Sequence, residues 1–166
     1  MRVAFTLIGG KDWTGGHNYL LNLLAVLGEY QKDHLTPVLF VGDACSAEDI
    51  AAFAGIPGLE MVKTPLLNAS RRTSSLMQAM LLGRDVSLRR LFQDHDINVV
   101  FESAQFFGWH LGTPAIAWIP DFQHKVLPHL FSRSAWWKRE VGFRAQVAGG
   151  RTIMLSSDDA RHACER

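Results

Sequence analysis

The chain has 166 residues, of which 48%, or about 80, are hydrophobic, enough to build one sizeable core and, at the usual domain length, one domain. Seventeen lysines and arginines stand against sixteen acids, a net charge of +1, which argues against nucleic-acid binding by bulk electrostatics and against an acidic disordered chain. The only two cysteines, Cys45 and Cys164, lie 119 positions apart, which excludes a disulfide framework and any close-spaced zinc motif and suits a reducing cytoplasm.

The first element is the apolar run Val3 to Ile8, which predicts a buried strand and is too short for a signal sequence. A glycine-rich loop, Gly9-Gly10-Lys11-Asp12-Trp13-Thr14-Gly15-Gly16, leads into a mostly apolar helix from about His17 to Tyr30, with Asn18, Asn22 and Glu29 tracing its one polar line. Thr36 to Val41 predicts a second strand. Ser46 is expected to cap a short helix reaching Ala54, stopped by Gly55, and Leu59 to Val62 fits a short strand. From Ser70 to about Asp94 the pattern is helical with a break near Gly83. Ile97 to Phe101 and Ala115 to Ile119 are short, apolar and β-rich. Ser132 is placed to cap a helix to about Ala148, ended by Gly149-Gly150, before a last strand Thr152 to Leu155 and a helix begun by Ser156-Ser157.

Strands written as continuous apolar runs, alternating with helices, are the pattern of a parallel sheet covered on both faces. The expectation is one doubly wound α/β domain over residues 1–166, with its ligand site at the carboxyl ends of the strands. The longest stretch free of formal charge, Ser103 to Pro120, is interrupted by Gln105, Gly108, His110 and Pro114 and does not read as a membrane span.

Chemistry has two places to sit. The loop before the first helix puts the amides around Gly15, Gly16 and His17 at the positive end of a helix dipole, a natural anion site. It is neither a Walker A loop, since Gly16 and His17 hold the lysine and hydroxyl positions, nor G-x-G-x-x-G; the alternative is a turn needing glycine dihedrals. The second place is Trp118-Ile119-Pro120-Asp121-Phe122-Gln123-His124, where Asp121, Gln123 and His124 emerge at a strand's carboxyl end, or form a solvated Pro-Asp turn.

Other features read more plainly. Asp94-His95-Asp96 precedes a strand and is expected at the wrong edge of the sheet for a metal-diphosphate site. On the helix from Ser132, Trp136, Trp137, Val141, Phe143 and Val147 share one arc with Glu140 and Arg144, while Lys138, Arg139 and Gln146 face away; the Glu140–Arg144 pair reads as structural before it reads as a site. Trp136-Trp137-Lys138-Arg139 reads as a packed aromatic pair beside solvated cations, with contact to a membrane surface as the alternative. His124 and His129 lack a third ligand for zinc, and no G-x-S-x-G elbow marks a serine nucleophile.

Taken together, the glycine-rich loop, the P-D-x-Q-H element at Pro120 to His124, the L-P-x-x-F-S stretch at Leu127 to Ser132 and the late strand ending in Ser156-Ser157 resemble the N-terminal half of GT-B glycosyltransferases of the group 1, or family 4, type. The resemblance runs along essentially the whole chain and is most specific from Ile119 to Ser132. It implies a Rossmann-like acceptor-side domain facing a second, donor-binding domain across a cleft, acting on a nucleotide sugar and a hydroxyl acceptor, saccharide or lipid-linked. It implies no metal and no other cofactor; the charge balance and cysteine usage add the expectation of no nucleic-acid partner and a cytoplasmic setting, extending to the membrane periphery. It assigns Asp121 and His124 to catalytic contacts, and Gly15, Gly16, His17 and Gln123 to substrate or phosphate.

Two departures matter. Many relatives read H-D where this chain has Pro120-Asp121, which leaves His124 or His17 to supply any histidine. No two glutamates stand eight positions apart, so the E-x7-E motif of the donor domain is not found here. The expectation is therefore a domain that is inactive alone, as a fragment or one half of a split enzyme, with a dimer through its inter-domain face as a further outcome. The competing expectation is a non-catalytic, flavodoxin-like module that binds a phosphate ligand or a protein.

Overall fold

A computed structural model describes residues 1–7, 13–68, 83, 85–103 and 105–165. Six strands form one parallel sheet: β1 (Arg2–Thr6), β2 (Thr36–Gly42), β3 (Glu60–Thr64), β4 (Val99–Ser103), β5 (Ala115–Ile119) and β6 (Thr152–Leu155), in the spatial order β3-β2-β1-β4-β5-β6. Among the described residues the α-helices are α1 (Thr14–Tyr30), α2 (Ala47–Ala51), α3 (Val86–Asp94), α4 (Gln123–Val126), α5 (Arg133–Ala148) and α6 (Asp158–Glu165). This is the doubly wound, Rossmann-like order, and it reverses direction between β1 and β4. It is not the 2-1-3-4-5 order of flavodoxin-like folds, which corrects that part of the competing expectation.

The continuous apolar runs have their predicted cause. In β2, Val38, Leu39, Phe40 and Val41 are all fully buried, because successive side chains enter cores on opposite faces. One core gathers Phe5, Leu39, Phe101 and Trp118 under Leu20 and Leu24 of α1. The other sets Ala4, Phe40 and Val100 against Leu88 and Phe92 of α3. A third cluster packs α5 and α6 on the far end of the sheet through Ile119, Phe143 and Ala160.

Element boundaries follow local chemistry. Ser46 Oγ accepts the Asp49 N–H and Ser132 Oγ the Ala135 N–H, as capping serines should, and Ser157 Oγ accepts the Ala160 N–H ahead of α6. Asp85 caps α3 by accepting from Ser87 and Leu88. Of the long helical pattern expected from Ser70, only α3 is described; residues 69–82 and 84 lie outside the described set, as do 8–12 of the glycine-rich loop. The Asp94-His95-Asp96 triplet sits at the amino-terminal edge, where Arg2 Nε donates to the His95 carbonyl.

Gly28 shows how closely α1 is seated. A Cβ there would press into the Pro57 carbonyl oxygen and lie 3.1 Å from the Ile56 side chain. Gly28→Ala is expected to cost about 1–3 kcal/mol even though alanine favours a helix, seen as a melting point lowered by about 5 °C. An unchanged melting point would mean that the Ile56–Pro57 loop yields freely.

Candidate functional site

The strand order reverses between β1 and β4, and α1 starts from the carboxyl end of β1, the edge where folds of this order bind ligands. Its first intrahelical bond runs from the His17 N–H to the Trp13 carbonyl, at 3.2 Å. The amides of Thr14, Gly15 and Gly16 therefore have no intrahelical acceptor. Trp13 supplies no side-chain cap, and the first turn contains no acid. Among the described residues nothing caps the positive end of this 17-residue helix, and Thr14 and Gly15 are exposed.

Beneath that helix start, β4 ends in Ser103. It is 1% exposed, and its hydroxyl finds no hydrogen-bond partner among the described residues. Its strand parity matches Phe101 and its register partner is Trp118, so it lies on the α1 face of the sheet. Trp118 stacks with Tyr19 at 4.1 Å between ring centroids and with Trp13 at 5.9 Å, and its Nε1 donates to Ser156 Oγ at 3.0 Å. Burial raises the Tyr19 phenol above its usual value, so it is neutral at physiological pH. The aromatic stack ties the first turns of α1 to the ends of β5 and β6.

The residues expected at the site separate into two groups. Gly15 and Gly16 form the helix start as expected, but His17 turns its ring onto Phe53, 5.1 Å away, with Nδ1 buried and unpartnered among the described residues. After β5, Asp121 Oδ1 accepts the Gln123 N–H at 3.0 Å and lies 3.4 Å from Arg139 Nη1. Asp121 is partly exposed and Gln123 exposed. Among the described residues no hydrogen bond, ion pair or ring contact joins the two groups directly.

His124 departs most from its assigned role. It is 0% exposed and ringed by Phe122, Phe131, Trp136 and Phe143. Its Nε2 lies 3.1 Å from Glu140 Oε2, which makes Nε2 the protonated nitrogen against an ionised carboxylate. Its carbonyl accepts from Trp136 Nε1 at 2.6 Å. A side chain so enclosed presents nothing to a substrate in this arrangement; it fastens α4, and the Asp121 turn before it, onto α5.

Glu140 is the centre of that fastening. Burial alone would raise its carboxyl, but hydrogen bonds from His124 and from Arg144 Nε, at 2.6 Å, outweigh it and, with Lys125 3.7 Å away, hold it below 4.5. The helix wheel had placed Glu140 and Arg144 together on the covered arc. Glu140 is buried there, but Arg144 stands in solvent and reaches back. The covered arc of α5 is turned from the expected one: Gln146, expected outside, is buried and donates to the Gln105 carbonyl, while Trp137, Val141 and Val147 are exposed.

A second buried pair escaped the sequence reading. Glu102 in β4 and Arg151 before β6 meet through two 3.1 Å contacts across β5. The available signal was a glutamate inside the apolar run Val99-Val100-Phe101-Glu102. Among the described residues no three His, Cys, Asp or Glu side chains gather as a metal site would require, and no helix there is long and apolar enough to cross a membrane.

Comparison with models of protein families, with curated proteins and with solved structures finds no match to this chain.

Proposed function

We propose that this chain is the acceptor-side, Rossmann-like half of a GT-B-type glycosyltransferase, working with a second, donor-binding unit in the cytoplasm. The observation that carries the reading is the open amino terminus of α1 at the strand-order reversal, stacked through Trp13 and Trp118 against the end of β5. The sequence resemblance from Ile119 to Ser132 falls on the element that continues from that same strand end.

In this reading an acceptor hydroxyl attacks the anomeric carbon while the bond to the nucleoside diphosphate breaks, and the hydroxyl proton passes to the departing diphosphate oxygen. The amides of Thr14, Gly15 and Gly16 offset the charge growing on the departing diphosphate. Asp121, half-exposed and aimed by its turn and by Arg139, contacts a sugar or acceptor hydroxyl, with Gln123 beside it. His124 serves by holding that turn in place. Catalysis rests on positioning across two units, so the chain alone does not turn over.

Calorimetry of the chain with oligosaccharide acceptors and with nucleoside diphosphates tests this. Acceptor binding is expected to be measurable and diphosphate binding weak. Thr14→Pro, which suits the first helical position but deletes one amide donor, should weaken diphosphate binding by about ten-fold. Tight nucleotide or flavin binding by the chain alone would favour a stand-alone binding module instead. Detectable sugar transfer by the chain alone would refute the need for a second unit.

A further inference from the structure

The segment from Phe122 to Ser157 is charged unlike the rest of the chain. It holds six lysines and arginines against the single acid Glu140, a net +5, so the remaining residues carry −4 within a chain total of +1. Two of those cations are neutralised locally, Arg139 by Asp121 and Arg151 by Glu102. Of the other four, Lys125 and Arg144 share the Glu140 carboxylate, while no ion pair is found for Arg133 or Lys138 among the described residues, and apolar side chains in the same segment are exposed.

Those side chains are large. Val126 is 66% exposed, Leu130 65% and Trp137 61%. On α5, Arg133, Trp137, Val141 and Arg144 recur at spacings of four, four and three residues, which lines them along one exposed face, with Lys138 at its margin. The α4 segment is fastened to α5 by Lys125 and His124 at Glu140 and by the Trp136–His124 hydrogen bond, and Val126 and Leu130, which flank that fastening in sequence, are exposed. Trp136 packs inward, while Trp137 stands against it edge-on at 5.0 Å and faces water. The expected packed tryptophan pair is thus half packed and half presented.

An exposed tryptophan with branched aliphatic neighbours, edged by lysine and arginine and carrying only one, already engaged, carboxylate, matches the boundary of an anionic bilayer: apolar groups enter the headgroup region and the cations meet lipid phosphates. We infer that the α4–α5 face docks this domain peripherally on a membrane surface containing anionic phospholipid. The occupant is the lipid surface, because the charge is one-sided and the protruding groups are those that partition at that boundary. The inference rests on exposure and charge alone and stands whether or not the chain belongs to a glycosyltransferase.

Flotation of the chain with phosphatidylcholine vesicles, with and without phosphatidylglycerol, tests it. The chain is expected to float with the anionic vesicles, to stay behind with neutral ones, and to be released by high salt. Arg133→Gln with Lys138→Gln should lower partitioning by about ten-fold or more, each cation contributing roughly five-fold. Trp137→Ser should lower it to a similar extent, and both variants should keep the parent circular dichroism because these side chains make few contacts. Absence from anionic vesicles, equal flotation on neutral ones, or full retention by both variants would overturn the inference. So would concentration-dependent self-association abolished by Trp137→Ser, which would make the face a contact between copies of the chain.

Discussion

Arg151→Ala is expected to lower the melting temperature by about 10 °C. The arginine side chain is 5% exposed and its partner Glu102 0% exposed. Nε and Nη2 each meet one carboxylate oxygen of Glu102 at 3.1 Å, the guanidinium also donates to the Gly108 and Gly149 carbonyls, and it lies 4.8 Å over the Phe106 ring. Glu102 Oε1 accepts the Phe107 N–H as well. Removing the arginine leaves a fully buried carboxylate without its cation and the buried Gly108 carbonyl without its donor, a loss of about 3–5 kcal/mol by comparison with other broken buried pairs. Adding Glu102→Gln to Arg151→Met should recover at least half of it, since the neutral amide can still accept from Phe107. Thermal denaturation of the three proteins decides the matter. If Arg151→Ala melts within about 2 °C of the parent, the pair is not what joins β4 to the start of β6.

That pair also shows where sequence reading stops. The strands β5 and β6 and the helix α5 have the limits expected from the sequence, because each is bounded by a local signal: Pro114 and Pro120 around β5, Ser132 and Gly149 around α5. The strand order follows from rules of handedness and crossover that act on any such alternation. Neither kind of rule says that Glu102 will be neutralised from forty-nine positions away. Such a contact is a property of register, here Glu102 against Ala117 of β5, whose small side chain leaves Arg151 room to cross the strand.

The candidate site divides the same way. Gly15 and Gly16 were legible because a helix needs no tertiary contact to present its first amides. Asp121 was legible because the turn after β5 is local. His124, expected to emerge at the end of β5, is instead enclosed by side chains from distant parts of the chain, and Trp137 was placed on the covered arc because helix-wheel arithmetic assumes that the apolar arc is the covered one. In α5 the buried Glu140 and Gln146 pull the covered arc round, each with a polar partner that the wheel cannot see, and Trp137 and Val141 are carried outward. The residues that lock the Asp121 turn and those that form the exposed face are therefore two consequences of one rotation of the helix.

The polar centre of that rotation has its own pH signature. Glu140 is held below its ordinary 4.5 in the folded chain because hydrogen bonds from His124 and Arg144 outweigh the burial that would raise it. An acid depressed on folding contributes stability that is complete above its unfolded value and is lost as the pH falls through the folded one. Glu140→Gln keeps an acceptor for His124 but removes the titration. The stability difference between parent and variant should therefore be constant from neutral pH down to about pH 5 and shrink below it, by at most about 1.4 kcal/mol per pH unit. Glu140→Ala, which also strips His124 Nε2 of its acceptor inside the aromatic shell, is expected to cost about 3 kcal/mol at neutral pH, or about 10 °C. Urea denaturation across that pH range provides the test. A difference that stays constant or widens on acidification would mean that folding does not favour the ionised Glu140 carboxylate.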